Sequence, residues 1–112
     1  MRRRRYKLDI RLGARVEKAR FATLDEALDA LAERIPHVSH RDGRSALGRD
    51  YEPVKQVAGR LEVHGPEGRH GGIDVRGDGS AEPYLGWIRK ELIAPAPDET
   101  AVDALRRVLA TF

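Results

Sequence analysis

The sequence predicts an α+β domain in which a mainly antiparallel sheet of about five strands forms one layer and two amphipathic helices form the other. Three patterns favour this class: charged and apolar residues alternate near the start, helical periodicity recurs in two segments, and further strand-like segments lie between them. The expected order is β-β-α-loop-β-β-β-α. A chain of 112 residues suits one hydrophobic core. We therefore expect a basic N-terminal arm at residues 1–5 and a single domain at 6–112, with a long loop at 36–53.

Composition excludes several classes of protein. The chain has 40% apolar and 35% charged residues, and it contains no run of about 18 apolar residues that could span a membrane. It contains no cysteine, which excludes disulfides, thiol chemistry and cysteine-based zinc sites. The basic start is not followed by the uninterrupted apolar segment of a signal peptide. We expect a cytoplasmic protein with no membrane partner and no cofactor.

The first strand-like segment has the clearest pattern. From Tyr6 to Leu12, apolar residues occupy every second position and charged residues lie between them, as in a strand with one buried and one solvated face. Gly13 and Ala14 then allow a tight reversal, and the following RVEKARFA is compatible with a returning strand that contains a bulge. This part of the sequence predicts a hairpin.

Two segments are typical of amphipathic helices. The first begins with the capping-box spacing of Thr23 and Glu26 and ends before Pro36. The second covers residues 98–111, with Asp98 as its candidate N-cap. Both helices contain a similar run of alanine, aspartate and aliphatic residues after a hairpin, which favours their packing on the same face of the sheet.

The tripeptide Arg76-Gly77-Asp78 also occurs in ligands of cell-adhesion receptors, but its context favours a structural role. Asp78 and Gly79 form the dipeptide that prefers a two-residue type I′ hairpin turn, and alternating segments flank it on both sides. The sequence therefore predicts a turn between two strands here rather than a recognition signal.

The segment EPYLGWIRKELIA is expected to form one long strand with apolar residues on both faces. Tyr84 and Trp87 have opposite parity on such a strand, so one would enter the core and the other would lie on the opposite face. If both helices cover one face, the other exposes an apolar patch of the kind found at interfaces. The leading hypothesis is a non-catalytic protein-interaction module, with a protein partner or homodimer contacting Tyr84, Trp87 and Ile88.

The N-terminal arm supports an alternative hypothesis, a nucleic-acid-binding domain. Arg2 to Arg5 and Lys7 supply five of the 21 basic residues, so that 16 basic residues remain against 18 acidic ones in the rest of the chain. The basic character therefore resides in the arm, and the body as a whole is weakly acidic. The candidate nucleic-acid contacts are Arg2, Arg3, Arg4, Arg5, Lys7, Arg11, Arg15 and Arg20.

A third hypothesis is an enzyme or metal site built on the histidine-bearing loops. His37 and His40 have i,i+3 spacing but lie in a polar segment after Pro36. His64 and His70 flank GPEGR and could face each other across a turn. The candidate carboxylate partners for this second pair are Glu67 and Asp74. Because no complete ligand set or nucleophile motif is present, we assign no catalytic, metal or cofactor-binding residue.

Overall fold

The structure, a computed structural model, describes residues 3–38 and 57–111. Its strands are β1 (Tyr6–Leu12), β2 (Arg15–Phe21), β3 (Val57–His64), β4 (His70–Arg76), β5 (Ala81–Leu85) and β6 (Glu91–Leu92). Its helices are α1 (Leu24–Arg34) and α2 (Ala101–Ala110). The predicted α+β class and the predicted order of helices and strands are confirmed.

The strands form one antiparallel sheet in the order β2-β1-β3-β4-β5-β6. Both helices pack on the same face of this sheet, as the sequence predicts, with α1 over β1 to β3 and α2 over β4 and β5. Arg106 of α2 bonds to the carboxylates of Asp25 and Asp29 on α1, which joins the two helices at the surface. The core between the layers contains Leu8, Ile10, Leu28, Leu31, Leu61, Val63, Ile73, Val75, Leu105 and Leu109.

Both helices begin with a capping box, in which a threonine and an acidic residue satisfy each other's backbone N–H groups. The predicted box of Thr23 and Glu26 is confirmed, with the Thr23 hydroxyl accepting from the Glu26 N–H at 3.1 Å. The second helix is capped by Thr100 rather than by Asp98. Thr100 is the N-cap because the Asp103 carboxylate accepts the Thr100 N–H at 3.2 Å, which is the reciprocal bond of a capping box.

The predicted long strand at the end of the sheet is two strands with a bend between them. Strand β5 ends at Leu85, and Gly86 has φ +101°, a backbone conformation that side chains with a Cβ rarely adopt. The chain then turns back, and β6 pairs with β5 so that Leu92 lies opposite Tyr84. Tyr84 and Trp87 therefore do not share one strand, and the prediction that they lie on opposite faces is wrong. Trp87 and Ile88 both remain exposed, at 59% and 88%, and Tyr84 is buried.

The turn between β4 and β5 lies where the sequence places it but is of another type. Only Gly79 in this turn has positive φ, at +90°, whereas a type I′ turn also requires positive φ at Asp78. The Gly79 N–H donates to the Arg76 carbonyl at 2.9 Å, and the Asp78 carboxylate accepts the Ser80 N–H at 2.9 Å. These bonds define a three-residue loop with a left-handed glycine at its end. Asp78 thus has a structural role in a hairpin.

Most of the long loop predicted at 36–53 lies outside the described residues, and so does His40. The described part is a single 3₁₀ turn, Ile35–His37, followed by the buried Val38. Within residues 3–38 and 57–111, neither helix is long and apolar enough to cross a membrane.

Candidate functional site

The sheet face opposite the helices, here called the open face, carries polar and charged side chains. The alternation along β1 points Leu8 and Ile10 to the helices and places Lys7, Asp9 and Arg11 on the open face. The antiparallel register then aligns residues of neighbouring strands in rows across this face. One row contains Arg20, Lys7, His64 and His70, the next contains Lys18, Asp9, Glu62, Gly72 and Tyr84, and the third contains Val16, Arg11, Arg60, Asp74 and Glu82.

His64 and His70 face each other at the ends of β3 and β4. Their Nδ1 atoms are 3.0 Å apart, a distance that fits one hydrogen bond in which one nitrogen donates and the other accepts. The intervening turn is closed by the Gly65 N–H, which donates to the Arg69 carbonyl at 2.7 Å, and it holds Glu67 at φ +60°. The structure therefore brings together the histidine pair that the sequence singles out.

The carboxylates beside this pair differ from those expected. Glu67 bonds to Arg69 at 3.2 Å in the turn, and Asp74 forms a bidentate pair with Arg60 at 2.7 and 3.3 Å. The carboxylate nearest to the pair is that of Asp9, whose Oδ2 lies 3.7 Å from His64 Nε2. Among the residues that the structure describes, no group of three or more histidine, aspartate or glutamate side chains has a geometry suited to a metal ion.

Trp87 lies against both histidine rings. Its ring centroid is 5.7 Å from that of His64 in an edge-on arrangement and 5.6 Å from that of His70, with planes tilted by 33°. These distances lie in the range of favourable aromatic contacts. Because the Trp87 side chain is still more than half exposed, the indole is held in place while much of its surface remains accessible.

Two buried carboxylates lie directly opposite each other at the centre of the open face. Asp9 and Glu62 are partners in the β1–β3 register and are only 6% and 7% exposed. Glu62 accepts a hydrogen bond of 3.0 Å from the hydroxyl of Tyr84. Asp9 Oδ1 has no hydrogen-bond donor among the described residues, and the Lys7 ammonium is 3.8 Å away. The Asp9 carboxylate is therefore buried without full compensation.

Burial also controls the protonation of two neighbouring groups. It lowers the pKa of His64, an effect that the negative charges of Glu62 and Asp9 offset only in part, so the ring is neutral at pH 7. Burial, together with the nearby Glu62 carboxylate, raises the pKa of Tyr84. The Tyr84 phenol therefore keeps its proton and acts as a donor to Glu62.

A cleft of about 360 Å³ opens beside Trp87, and its size is at the lower end of the range for ligand sites. Its deeper part is formed by the buried carboxylates, and its more exposed part by cations such as Lys7 and Arg11, whose side chains are 32% and 57% exposed. The lining residues are Lys7, Asp9, Arg11, Lys18, Glu62, His64, His70 and Trp87.

Charge is distributed unequally between the two layers. On the open face, the carboxylates of Asp9, Glu62, Asp74 and Glu82 are outnumbered by the cations Lys7, Arg11, Lys18, Arg20, Arg60, Arg76 and Lys90. In the helices, Asp25, Glu26, Asp29, Glu33 and Asp103 outnumber Arg34, Arg106 and Arg107. The weakly acidic net charge of the body is therefore the sum over a basic sheet face and an acidic helix face.

The candidate partner-binding residues have different environments. Tyr84 is 1% exposed, with Lys90 Nζ 4.7 Å from its ring centroid, so a partner would meet Lys90 before Tyr84. Trp87 and Ile88 are available at the surface.

The candidate nucleic-acid contacts also lie in different parts of the structure. Arg3, Arg4 and Arg5 are exposed in the segment before β1, and Arg2 lies outside the described residues. Lys7, Arg11 and Arg20 lie on the open face, whereas Arg15 pairs with Leu12 and is on the opposite side, 3.7 Å from Glu17.

Sequence reasoning did not find Asp9, Glu62 and Lys18 as site residues. Each has the parity of the solvated face, a pattern shared by many surface residues in strands. The strand order and the β1–β3 register are what bring them together, and no local pattern in the sequence contains that information.

Comparisons of the chain with family models, with curated proteins and with solved structures give no match. The chemistry of the open face is therefore the basis for assigning a function.

Proposed function

We propose that the open face binds single-stranded nucleic acid. The observation that carries this proposal is the position of Trp87: an exposed indole, fixed by two imidazoles, borders a cleft surrounded by cations. Proteins that bind single strands combine these two elements, because cations follow the phosphates while aromatic rings stack on the bases. In this arrangement Lys7, Lys18 and Arg20 contact phosphates and Trp87 stacks on a base.

The separation of charge between layers supports the same face. A polyanion approaching the helix layer meets the exposed carboxylates of Asp25, Asp29 and Glu33, whereas the open face attracts it. The exposed arm residues Arg3 to Arg5 lead directly into β1, the strand that carries Lys7 and Arg11 on the open face. The arm therefore extends the basic surface beyond the edge of the cleft.

A single strand fits this face better than a duplex. Trp87 borders the cleft, and it can stack only on a base that is free of its neighbours. Paired bases in a duplex are not available for such a contact.

The salt dependence of binding tests this proposal. We expect a fluorescently labelled single strand of mixed sequence to bind the full chain at low salt, with an affinity that falls steeply as salt increases. In a plot of the logarithm of the binding constant against the logarithm of salt concentration, each lost phosphate contact should make the slope shallower by about 0.7. Removing residues 2–5 should therefore make the slope shallower by up to about 3, without lowering the unfolding midpoint, because these residues lie before β1.

Two residues of β2 provide a matched pair of variants for the same titration. Lys18→Gln removes a cation from the open face, and Arg15→Gln removes one from the other side of the strand. Only Lys18→Gln should weaken binding. An absence of binding by the full chain at low salt would rule out the proposal, and equal losses in both variants would show that the open face is not the site.

Self-association is a second candidate function, favoured by exposed apolar side chains around the β5–β6 bend. Trp87, Ile88 and Leu92 are 59%, 88% and 68% exposed. If they form a dimer interface, the protein should sediment as a dimer at micromolar concentration, and Ile88→Asp should give a folded monomer. Val16→Asp introduces the same charge at another exposed apolar residue and should leave the dimer intact. A monomer at every accessible concentration would remove this candidate.

A further inference from the structure

The carboxylate of Asp9 lines the cleft beside Trp87 and lacks a hydrogen-bond partner in the part of the chain that the structure describes. Asp9 is 6% exposed, and the nearest side-chain nitrogens are Lys7 Nζ at 3.8 Å from Oδ1 and His64 Nε2 at 3.7 Å from Oδ2. Both distances exceed those of ordinary hydrogen bonds. A buried carboxylate in this state favours a ligand that brings its own N–H donors.

The surroundings of Asp9 restrict what that ligand can be. Glu62 lies opposite Asp9 across the strands, and one of its oxygens already accepts the Tyr84 hydroxyl. The deep part of the cleft therefore presents carboxylate oxygens, which repel any ligand edge that carries an unprotonated acceptor. A flat ring stacked on Trp87 must direct adjacent donors toward Asp9.

Among the nucleobases, guanine meets this requirement best. Its N1–H and N2–H₂ groups are neighbouring donors that a carboxylate accepts with both oxygens. Adenine and cytosine place a ring-nitrogen acceptor next to their amino group, and uracil and thymine flank their single N–H with two carbonyl oxygens. Lys7, on the same row as the histidines, supplies a donor for the neighbouring O6 of guanine.

We propose that the cleft bordered by Trp87 is a base-specific pocket for guanine, in which the Asp9 carboxylate accepts N1–H and N2–H₂ while the indole stacks on the ring. This inference rests on the proposed binding of single-stranded nucleic acid and adds a specificity to it. Asp9 is thus the specificity-determining residue, and the cations Arg11 and Lys18 hold the flanking phosphates.

Trp87 is the single tryptophan of the chain, so its fluorescence reports directly on the cleft. Thymidine heptamers with guanine, adenine, cytosine or thymine at the central position should be titrated against the full chain. We expect the guanine heptamer to bind about 10-fold more tightly than the others, as for a good bidentate base contact. Asp9→Asn should reduce this preference to less than about 2-fold, because the amide replaces one acceptor by a donor.

A heptamer with hypoxanthine at the centre tests the contact without any change in the protein, because hypoxanthine differs from guanine only in lacking the N2 amino group. It should bind several-fold more weakly than the guanine heptamer. Equal affinities of these two heptamers, or a guanine preference that persists in a folded Asp9→Asn variant, would overturn the inference. Binding of all heptamers with one affinity would also overturn it but retain the proposed function, whereas no binding of any heptamer at low salt would remove both.

Discussion

Replacing Gly72 by alanine is expected to destabilise the protein by about 2–3 kcal/mol, the upper part of the range for overpacked sites. Gly72 lies on the open face, opposite Tyr84 in the β4–β5 register. A Cβ atom there would be 2.5 Å from the carbonyl oxygen of Leu61 and 2.6 Å from the Tyr84 hydroxyl. The first contact is with backbone of the neighbouring strand, so relief requires the sheet itself to shift. The change in the free energy of unfolding is measured by chemical denaturation, and the m-value should be the same for the variant and the native chain.

Gly13→Ala is the matched control for this substitution. Gly13 has φ +62°, and a Cβ at this position would meet no atom within 4 Å. Its replacement therefore introduces backbone strain of about 1 kcal/mol without a steric clash. If Gly72→Ala were no more destabilising than Gly13→Ala, Tyr84 would not be packed over Gly72 as described.

Gly72 illustrates the part of the site that depends on contacts between residues far apart in the sequence. Tyr84 is a large side chain on a mostly polar face, and it is buried there because the glycine on the next strand leaves room for its ring. From this position its hydroxyl reaches Glu62. The sequence shows both residues, but only the pairing of β4 with β5 and of β3 with β4 places them together.

Elements with local signals could be predicted from the sequence. The alternation from Tyr6 to Leu12 depends on one strand, and the capping box of Thr23 and Glu26 lies within a few residues of chain. The hairpin at Asp78 and Gly79 is also local, and its position was predictable although its type was not. The break at Gly86 was missed because apolar residues continue on both sides of it, and periodicity alone does not show a change of backbone direction.

Net charge was a misleading guide to the open face. Counting residues makes the body weakly acidic, which argues against a polyanion site outside the arm. The count ignores the fold, in which α1 and α2 present acidic side chains on one surface while β1 and β2 present Lys7, Lys18 and Arg20 on the other. Attraction of a charged ligand depends on the local field, so the surface distribution matters more than the sum.

Trp87→Ala is expected to weaken the binding of single-stranded nucleic acid by about 5- to 150-fold, the range that corresponds to loss of one stacked base. The unfolding midpoint should change little, because Trp87 is 59% exposed. Titration of a labelled strand, together with thermal unfolding of the same samples, measures both quantities.

The salt dependence of the same variant separates stacking from phosphate contacts. Stacking releases no counterions, so Trp87→Ala should lower the affinity at every salt concentration and leave the log-log slope unchanged, whereas Lys18→Gln should make the slope shallower. Trp87→Phe keeps an aromatic face and should recover part of the affinity. Ile88→Ala, at the more exposed neighbouring position, is the control and should bind as the native chain does. If Ile88→Ala weakened binding as much as Trp87→Ala did, the β5–β6 bend would act as an apolar contact surface, and the stacking role of Trp87 would be wrong.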